Sequence, residues 1–362
     1  MEIKKNYYVI TALVNPEKVV DFNLFQWSLL ICQARRAGVL ARIGYILETQ
    51  QLLAKVPEEA LKQIKSAEIY AQHVHRSLDW ELQGLQRAFD SIGLPLVLLK
   101  GSLYVVANNR TAIGRVFSDI DLLVPEINLK QVERALNIEG WKAGYVNAYD
   151  QQYYRKWMHE LPPMQHVQRH TSIDVHHNIL PRTNKSYPDA KKLLANIVQI
   201  DNKNIWGLTP EYRVIHSATH LFNDGEFEHG FRDLSDMDLM LKEFSVQSGF
   251  WNRLIKGAEE LHQQRSLYYA LRYTTAIFDT SVPNSSIETI KQFQTGSVRE
   301  RMMDFIFLRA LMPDHKSCDD QWTGLARWII YLRSHWLRMP LYLLVPHLIR
   351  KSWMRLAGET TH

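Results

Sequence analysis

From Leu61 to Phe89 an apolar residue recurs every three or four positions: Leu61, Ile64, Ala67, Ala71, Val74, Leu78, Leu82, Leu85 and Phe89. That period is the turn of an α-helix, so these side chains form one stripe along a single long amphipathic helix that must be buried against something. Pro57 followed by Glu58 and Glu59 marks its start, since proline is tolerated in the first turn and acids suit the positive end of the dipole. The pattern breaks at Gly93. Leu94 to Leu99 is a short apolar run of the length of a buried strand, and Val116 to Val124, closed by Pro125, is a second. Leu129 to Leu136 reads as a helix, and Trp141 to Val146 and Ser172 to His176 as further strands, while Asp150 to His170 has no clear period. At Thr209, a suitable N-cap ahead of Pro210, the helical period returns and lasts to about Leu311. The expected class is α+β. A mixed-sheet core over 91–208 lies between an N-terminal helical region, 1–90, and a C-terminal helical domain, 209–320, and a basic Trp-rich tail follows over 321–362.

Composition removes several alternatives. Only two cysteines occur, Cys32 and Cys318, far apart in the 362 residues. No disulfide framework and no cysteine-based zinc module can be built from them, and both read as buried small residues. The first residues, Met1 to Lys5, lack the apolar core of a secretion signal. A cytoplasmic setting is therefore expected. The net charge of +5 welcomes an anionic ligand without demanding nucleic acid.

The chemistry concentrates at Asp119-Ile120-Asp121, inside an apolar strand. Residues i and i+2 of a strand share a face, so both carboxylates point one way while Ile120 and Leu122 point the other. Two neighbouring anions among apolar residues are expensive unless a cation joins them. Magnesium, which takes carboxylates together with substrate phosphates, is the natural partner; a solvated strand edge is the bland alternative. Upstream, Leu98-Leu99-Lys100-Gly101-Ser102 is a strand entering a Gly-Ser turn and then a helix. Gly101 permits close backbone approach to phosphate, and Ser102 offers a hydroxyl, although Gly-Ser is also a common turn. Asp174, within Ile173-Asp174-Val175-His176, offers a third carboxylate or else a cross-strand partner for a cation.

The combination of Gly-Ser, Asp-x-Asp and a later acid resembles the DNA-polymerase-β-like nucleotidyltransferase superfamily. More closely, Leu99-Lys100-Gly101, Arg115, Asp119 to Val124 and Asp174-Val175-His176 resemble a bacterial group of uncharacterised nucleotidyltransferases, over about residues 22 to 290. The resemblance implies a polymerase-β-like mixed-sheet core. It implies transfer of an NMP from an NTP donor such as ATP to a hydroxyl acceptor, with release of pyrophosphate. Gly101 and Ser102 would hold the triphosphate. Asp119, Asp121 and Asp174 would be the catalytic acids and would ligate two Mg2+ ions, or Mn2+. Lys100 and Arg115 would balance phosphate charge or pair with the acids. The acceptor, whether small molecule, glycan or macromolecule, is not readable. Competing readings are a non-catalytic nucleotide sensor or scaffold, and a toxin-type enzyme acting on tRNA or protein.

The sequence holds fifteen histidines. His159, His166, His170, His176 and His177 are irregularly spaced and joined by no cysteine, which argues against a dedicated zinc site. His176, sharing a strand face with Asp174, could orient it. His220, Arg232 and Asp236 fall in the later helices, as helical packing against the sheet or as a wall of the site. Between Trp322 and Leu356 stand six Arg or Lys, no acid and four of the ten tryptophans. The apolar run Met339 to Ile349 is too short to span a membrane. The tail is expected either to touch a membrane surface from the inner face or to pack its Trp and Leu residues inward with the arginines facing water; nucleic acid is the less favoured partner.

Overall fold

A computed structural model describes residues 7–144, 154–200, 204–223, 227–293 and 296–338. The chain begins with α1 (Tyr8–Val14), α2 (Leu24–Arg36), α3 (Leu40–Thr49) and α4 (Glu58–Asp90). Asn23 starts α2 with a reciprocal cap: its side chain accepts from the Gln26 backbone, and the Gln26 side chain accepts from the Asn23 backbone. The stripe from Leu61 to Phe89 lies on the 33-residue α4, which begins directly after Pro57. At Gly93 the backbone is left-handed (φ +67°), which only glycine adopts freely and which turns the chain out of the helix.

The middle of the chain gives β1 (Leu96–Leu98), α5 (Lys100–Val106), β2 (Asp119–Leu123), α6 (Leu129–Ile138), β3 (Trp141–Ala143), β4 (Met164–His166), β5 (Ser172–His176), α7 (Ala190–Leu194), β6 (Ile197–Gln199) and β7 (Ile205–Leu208). These strands form one mixed sheet in the order β3-β4-β5-β2-β1-β7-β6. β2 runs parallel to β5, and β1 parallel to β7; the other neighbours are antiparallel. The helices α8 (Pro210–Asn223), α9 (Gly230–Phe244), α10 (Phe250–Glu260), α11 (Gln264–Phe278), α12 (Asn284–Lys291), α13 (Ser297–Ala310) and α14 (Thr323–Arg338) follow.

Two apolar clusters flank the sheet. One joins Leu96, Leu98, Ile120, Leu122, Ile173 and Val175 to the second half of α4 and to α6. The other takes the opposite face, through Val97 and Leu123, and runs from Val9 of α1 to Ile330 of α14. The N-terminal and C-terminal helices therefore share one core.

The sheet departs from expectation in three ways. β2 begins three residues later than Val116, because the Val116 carbonyl accepts from the Arg115 guanidinium (2.7 Å) rather than from a strand. β3 ends at Ala143, and Tyr145 and Val146 lie outside the described residues. β4, β6 and β7 had no sequence signal. In β7 the reason is Gly207, a poor strand former, which is needed because any Cβ there would collide with Leu103 of α5.

The cysteines split. Cys318 is buried, but Cys32 is only partly so. The last helix inverts the inward-packing alternative. Trp328 and Trp336 are 57% and 65% exposed, whereas the Arg333 guanidinium donates to the Phe222 carbonyl (2.7 Å) and Arg327 pairs with Asp314 and Asp319. Among the described residues no helix is long and apolar enough to cross a membrane. Met339 to Ile349, and the rest of the basic tail, lie outside the described residues.

Gly114 is left-handed (φ +63°); a Cβ there would collide with the Arg42 backbone nitrogen and sit 2.7 Å from the Ala41 carbonyl carbon. Gly114→Ala combines backbone strain with overpacking, each costing on the order of 1–3 kcal/mol. A loss of at least about 2 kcal/mol in urea-induced unfolding is expected.

Candidate functional site

Strand alternation decides what the site contains. On β2, Ile120 and Leu122 enter the α4 side of the sheet, so Asp119 and Asp121 take the other side with Leu123. On β5 the same alternation buries Ile173 and Val175 and turns Ser172, Asp174 and His176 the opposite way. The two strands are parallel with Asp121 opposite Asp174 and Leu123 opposite His176. Ligand atoms of Asp121, Asp174 and His176 consequently lie within 4.8 Å of one another. Asp119, whose carboxylate accepts from the Ser118 hydroxyl (3.1 Å), stands outside that group.

Lys100 completes the charge balance. Its backbone is left-handed (φ +44°), a conformation that costs a non-glycine residue on the order of 1 kcal/mol or more. From that turn between β1 and α5, its ammonium reaches Asp121 Oδ1 at 3.2 Å. The same oxygen lies 2.9 Å from His176 Nε2. Burial alone would raise the Asp121 carboxyl, but Lys100 and His176 outweigh it and hold the group well below the usual range. Burial would likewise lower Lys100, yet Asp121, Asp119 and Glu160 keep it firmly protonated. At Asp174 the balance runs the other way, with the charge of His176 outweighed. Burial, then Glu160 and Asp121, push its carboxyl up to about 7.

Two further residues join the cluster. Glu160 faces His176 across an antiparallel bridge, with Oε2 3.2 Å from His176 Nδ1. The His159 ring lies 5.3 Å from that of His176, centroid to centroid. Burial, together with the positive charges of His176 and Lys100, holds His159 well below the ordinary histidine range.

A cavity of about 290 Å³ opens beside the acids. Lys100 and Gly101 line it from the start of α5, Asp119 and Asp121 from β2, His220 from α8, and Arg232 and Asp236 from α9. Arg115 lines it too, but its fork faces the acids of α9: Nε is 2.6 Å from Asp236 and Nη2 3.4 Å from Asp233. Asp236 also holds Arg42 of α3 at 2.6 Å. Arg232 pairs with Asp233 at 3.1 Å. Ser102 is absent from the lining. It is 1% exposed, and its hydroxyl donates to the Leu99 carbonyl (3.1 Å).

Sequence reasoning missed Glu160 as well as the cavity residues Tyr104, Phe117, Ser217, Glu228 and Asp233. Most sit on helix faces where their pattern is indistinguishable from packing. Glu160 could have been found only from the pairing of its segment with β5, and no periodic signal announces that pairing.

Comparison with known proteins adds one result. A family model described as an uncharacterised nucleotidyltransferase matches residues 23–279, about 70% of the chain. No curated protein and no solved structure matches.

Two outcomes follow from the charges. Asp236→Asn leaves Arg42 and Arg115 buried with too little negative charge, and a loss of about 3–5 kcal/mol is expected in urea unfolding. The raised Asp174 carboxyl binds more protons folded than unfolded between its ordinary value of 3.8 and about 7. Native stability therefore falls as pH rises through that window. Asp174→Asn removes the penalty, so in EDTA its melting temperature should exceed that of wild type by roughly 2–4 °C at pH 8, with little difference at pH 4.

Proposed function

The chain belongs to the uncharacterised nucleotidyltransferase family, and on that premise we propose that it transfers an NMP from an NTP to a hydroxyl acceptor, in a magnesium-dependent site of polymerase-β-like design. The observation that carries the reading is the register of β2 and β5, which sets Asp174 directly behind Asp121, itself a wall of a polar cavity. A scaffold gains nothing from burying Asp174 beside Glu160 and Asp121, where burial first and the neighbouring carboxylates second push it up to about 7.

In the proposed reaction the acceptor oxygen bonds to the α-phosphorus as the bond from that phosphorus to the bridging oxygen breaks. Pyrophosphate leaves with the electron pair, and the acceptor hydroxyl releases its proton. The oxygen donors of Asp119, Asp121 and Asp174 suit magnesium. When bound, magnesium or manganese would neutralise phosphate charge and polarise the α-phosphate.

The chain's own residues do the rest by position and fixed charge. Lys100 supplies a buried ammonium beside Asp121. Gly101 lines the cavity with no side chain between the backbone and a ligand. Since the Ser102 hydroxyl is spent on Leu99, phosphate contact falls to the backbone of this turn, to Lys100 and to Arg232. Arg115, tied to Asp236 and Asp233, fixes the wall rather than the donor. Asp174, poised near neutrality, is suited to take the acceptor proton.

Calorimetric titration with each NTP, with and without magnesium, tests the reading. Tight magnesium-dependent binding of one nucleotide is expected, with at least about a tenfold loss, 1.4 kcal/mol, in Asp119→Asn/Asp121→Asn. Absence of NTP binding by folded wild-type protein would sink it.

A further inference from the structure

We propose that His159, Glu160 and His176 form a second metal site, separate from the paired carboxylates of β2 and β5, which takes a zinc-type transition-metal ion.

The site is built by backbone pairing. Segment 159–161 returns antiparallel to the end of β5, with the Leu161 amide donating to the Val175 carbonyl (2.9 Å) and the His177 amide to the His159 carbonyl (2.8 Å). That pairing puts Glu160 across from His176. Glu160 Oε2 is then 3.2 Å from His176 Nδ1 and 4.0 Å from His159 Nε2. One ligand atom from each of the three residues lies within 4.8 Å of the others. Bonds of about 2.0–2.2 Å to a central ion require ligand atoms a little over 3 Å apart, so only His159 has to close in.

The two ring nitrogens of His176 divide the work. Nε2 lies 2.9 Å from Asp121. Donation of Nε2–H to that carboxylate leaves Nδ1, which faces Glu160, as the nitrogen that an ion would take in exchange for its proton, the carboxylate–histidine–metal arrangement that orients ligands in zinc proteins. His159 Nδ1 is buried with no hydrogen-bond partner among the described residues, so either ring nitrogen can turn to an ion.

The donor set chooses the ion. Two imidazoles and one carboxylate are the ligands of catalytic zinc centres that retain an open position. Magnesium prefers oxygen alone and binds imidazole poorly. With side chains of His159 and Glu160 15% and 16% exposed, an ion can enter. The irregular histidine spacing in the sequence had argued against zinc because the third ligand is an acid, brought in by strand pairing.

The proposal goes beyond the transfer reading and does not require it. EDTA-stripped wild-type protein is titrated with ZnCl2 in excess MgCl2. One tight equivalent is expected, and the Co2+-loaded protein should show the intense visible bands of a four- or five-coordinate centre, bleached by Zn2+. His159→Ala and Glu160→Gln should each weaken zinc by at least about 100-fold, and Asp121→Asn, which frees the His176 ring, by about 10–100-fold. Asp174→Asn and Asp119→Asn should leave zinc affinity unchanged while the second loses nucleotide binding.

Zinc lost in Asp174→Asn but kept in Glu160→Gln would assign the ion to the carboxylate pair and overturn the proposal. A six-coordinate cobalt spectrum, or no zinc uptake in the presence of magnesium, would overturn it on wild-type protein alone, whatever the folding of the variants.

Discussion

One buried carboxylate carries two guanidinium groups. Asp236 of α9 holds Arg42 of α3 and Arg115, which precedes β2, each at 2.6 Å. Three stretches of chain far apart in sequence meet at that point, beside the cavity. A buried pair of this kind contributes little net stability, because desolvating the charges offsets their attraction. Its effect is to penalise every alternative packing in which one partner is left alone. The other bonds of Arg42, to the Thr111 carbonyl (3.0 Å), the Ile113 carbonyl (3.4 Å) and the Ser235 hydroxyl (2.7 Å), fix the same geometry. The helical body is thereby held to the loop that feeds Asp119 and Asp121 into the sheet.

The acids themselves are organised by a different rule. Parallel pairing of β2 and β5 makes Asp121 and Asp174 neighbours, and their fates then diverge according to what else is near. Asp121 has Lys100 and His176 to offset its burial; Asp174 has burial reinforced by Glu160. Two carboxyls a strand apart thus keep opposite proton habits, the usual sign of a site arranged for chemistry rather than for stability. The left-handed backbone at Lys100 belongs to the same economy, since strain is tolerated where an ammonium is needed.

Much of this was legible in the residues. The stripe from Leu61 to Phe89, the strand at Ser172 to His176 and the helix begun by Pro210 all obey one strong local period, and they occur where that period puts them. Strand alternation put Asp119 and Asp121 on one face, and Asp174 stood mid-strand in the segment that became β5. What stayed hidden depends on distant partners. β7 is a four-residue strand inside the sheet containing a glycine, justified only by Leu103 lying against it. Ser102 looked like a phosphate ligand because its hydroxyl was assumed free, whereas helix geometry returns it to the Leu99 carbonyl. Arg115 looked like a phosphate clamp until α9 supplied Asp233 and Asp236. One alternative had the basic residues of α14 facing water over inward tryptophans, but Arg333 turns in to the Phe222 carbonyl of α8 and Trp328 and Trp336 stay outside.

The core that joins Val9 to Ile330 has a consequence for how the molecule is made. Gln33 of α2 donates to the Ser317 hydroxyl, a partner 284 positions later in the chain. At a synthesis rate of roughly 5–20 residues per second, that partner leaves the ribosome about 15–60 s after Gln33 does. Through that interval α1 and α2 lack the part of their cover that the closing segment supplies. The sheet and α4 have all their strands once β7 has emerged, well before the last helices. On the ribosome, then, α3 can close on α4 at once, while the seam between α2 and the Ser317 segment is among the last to form.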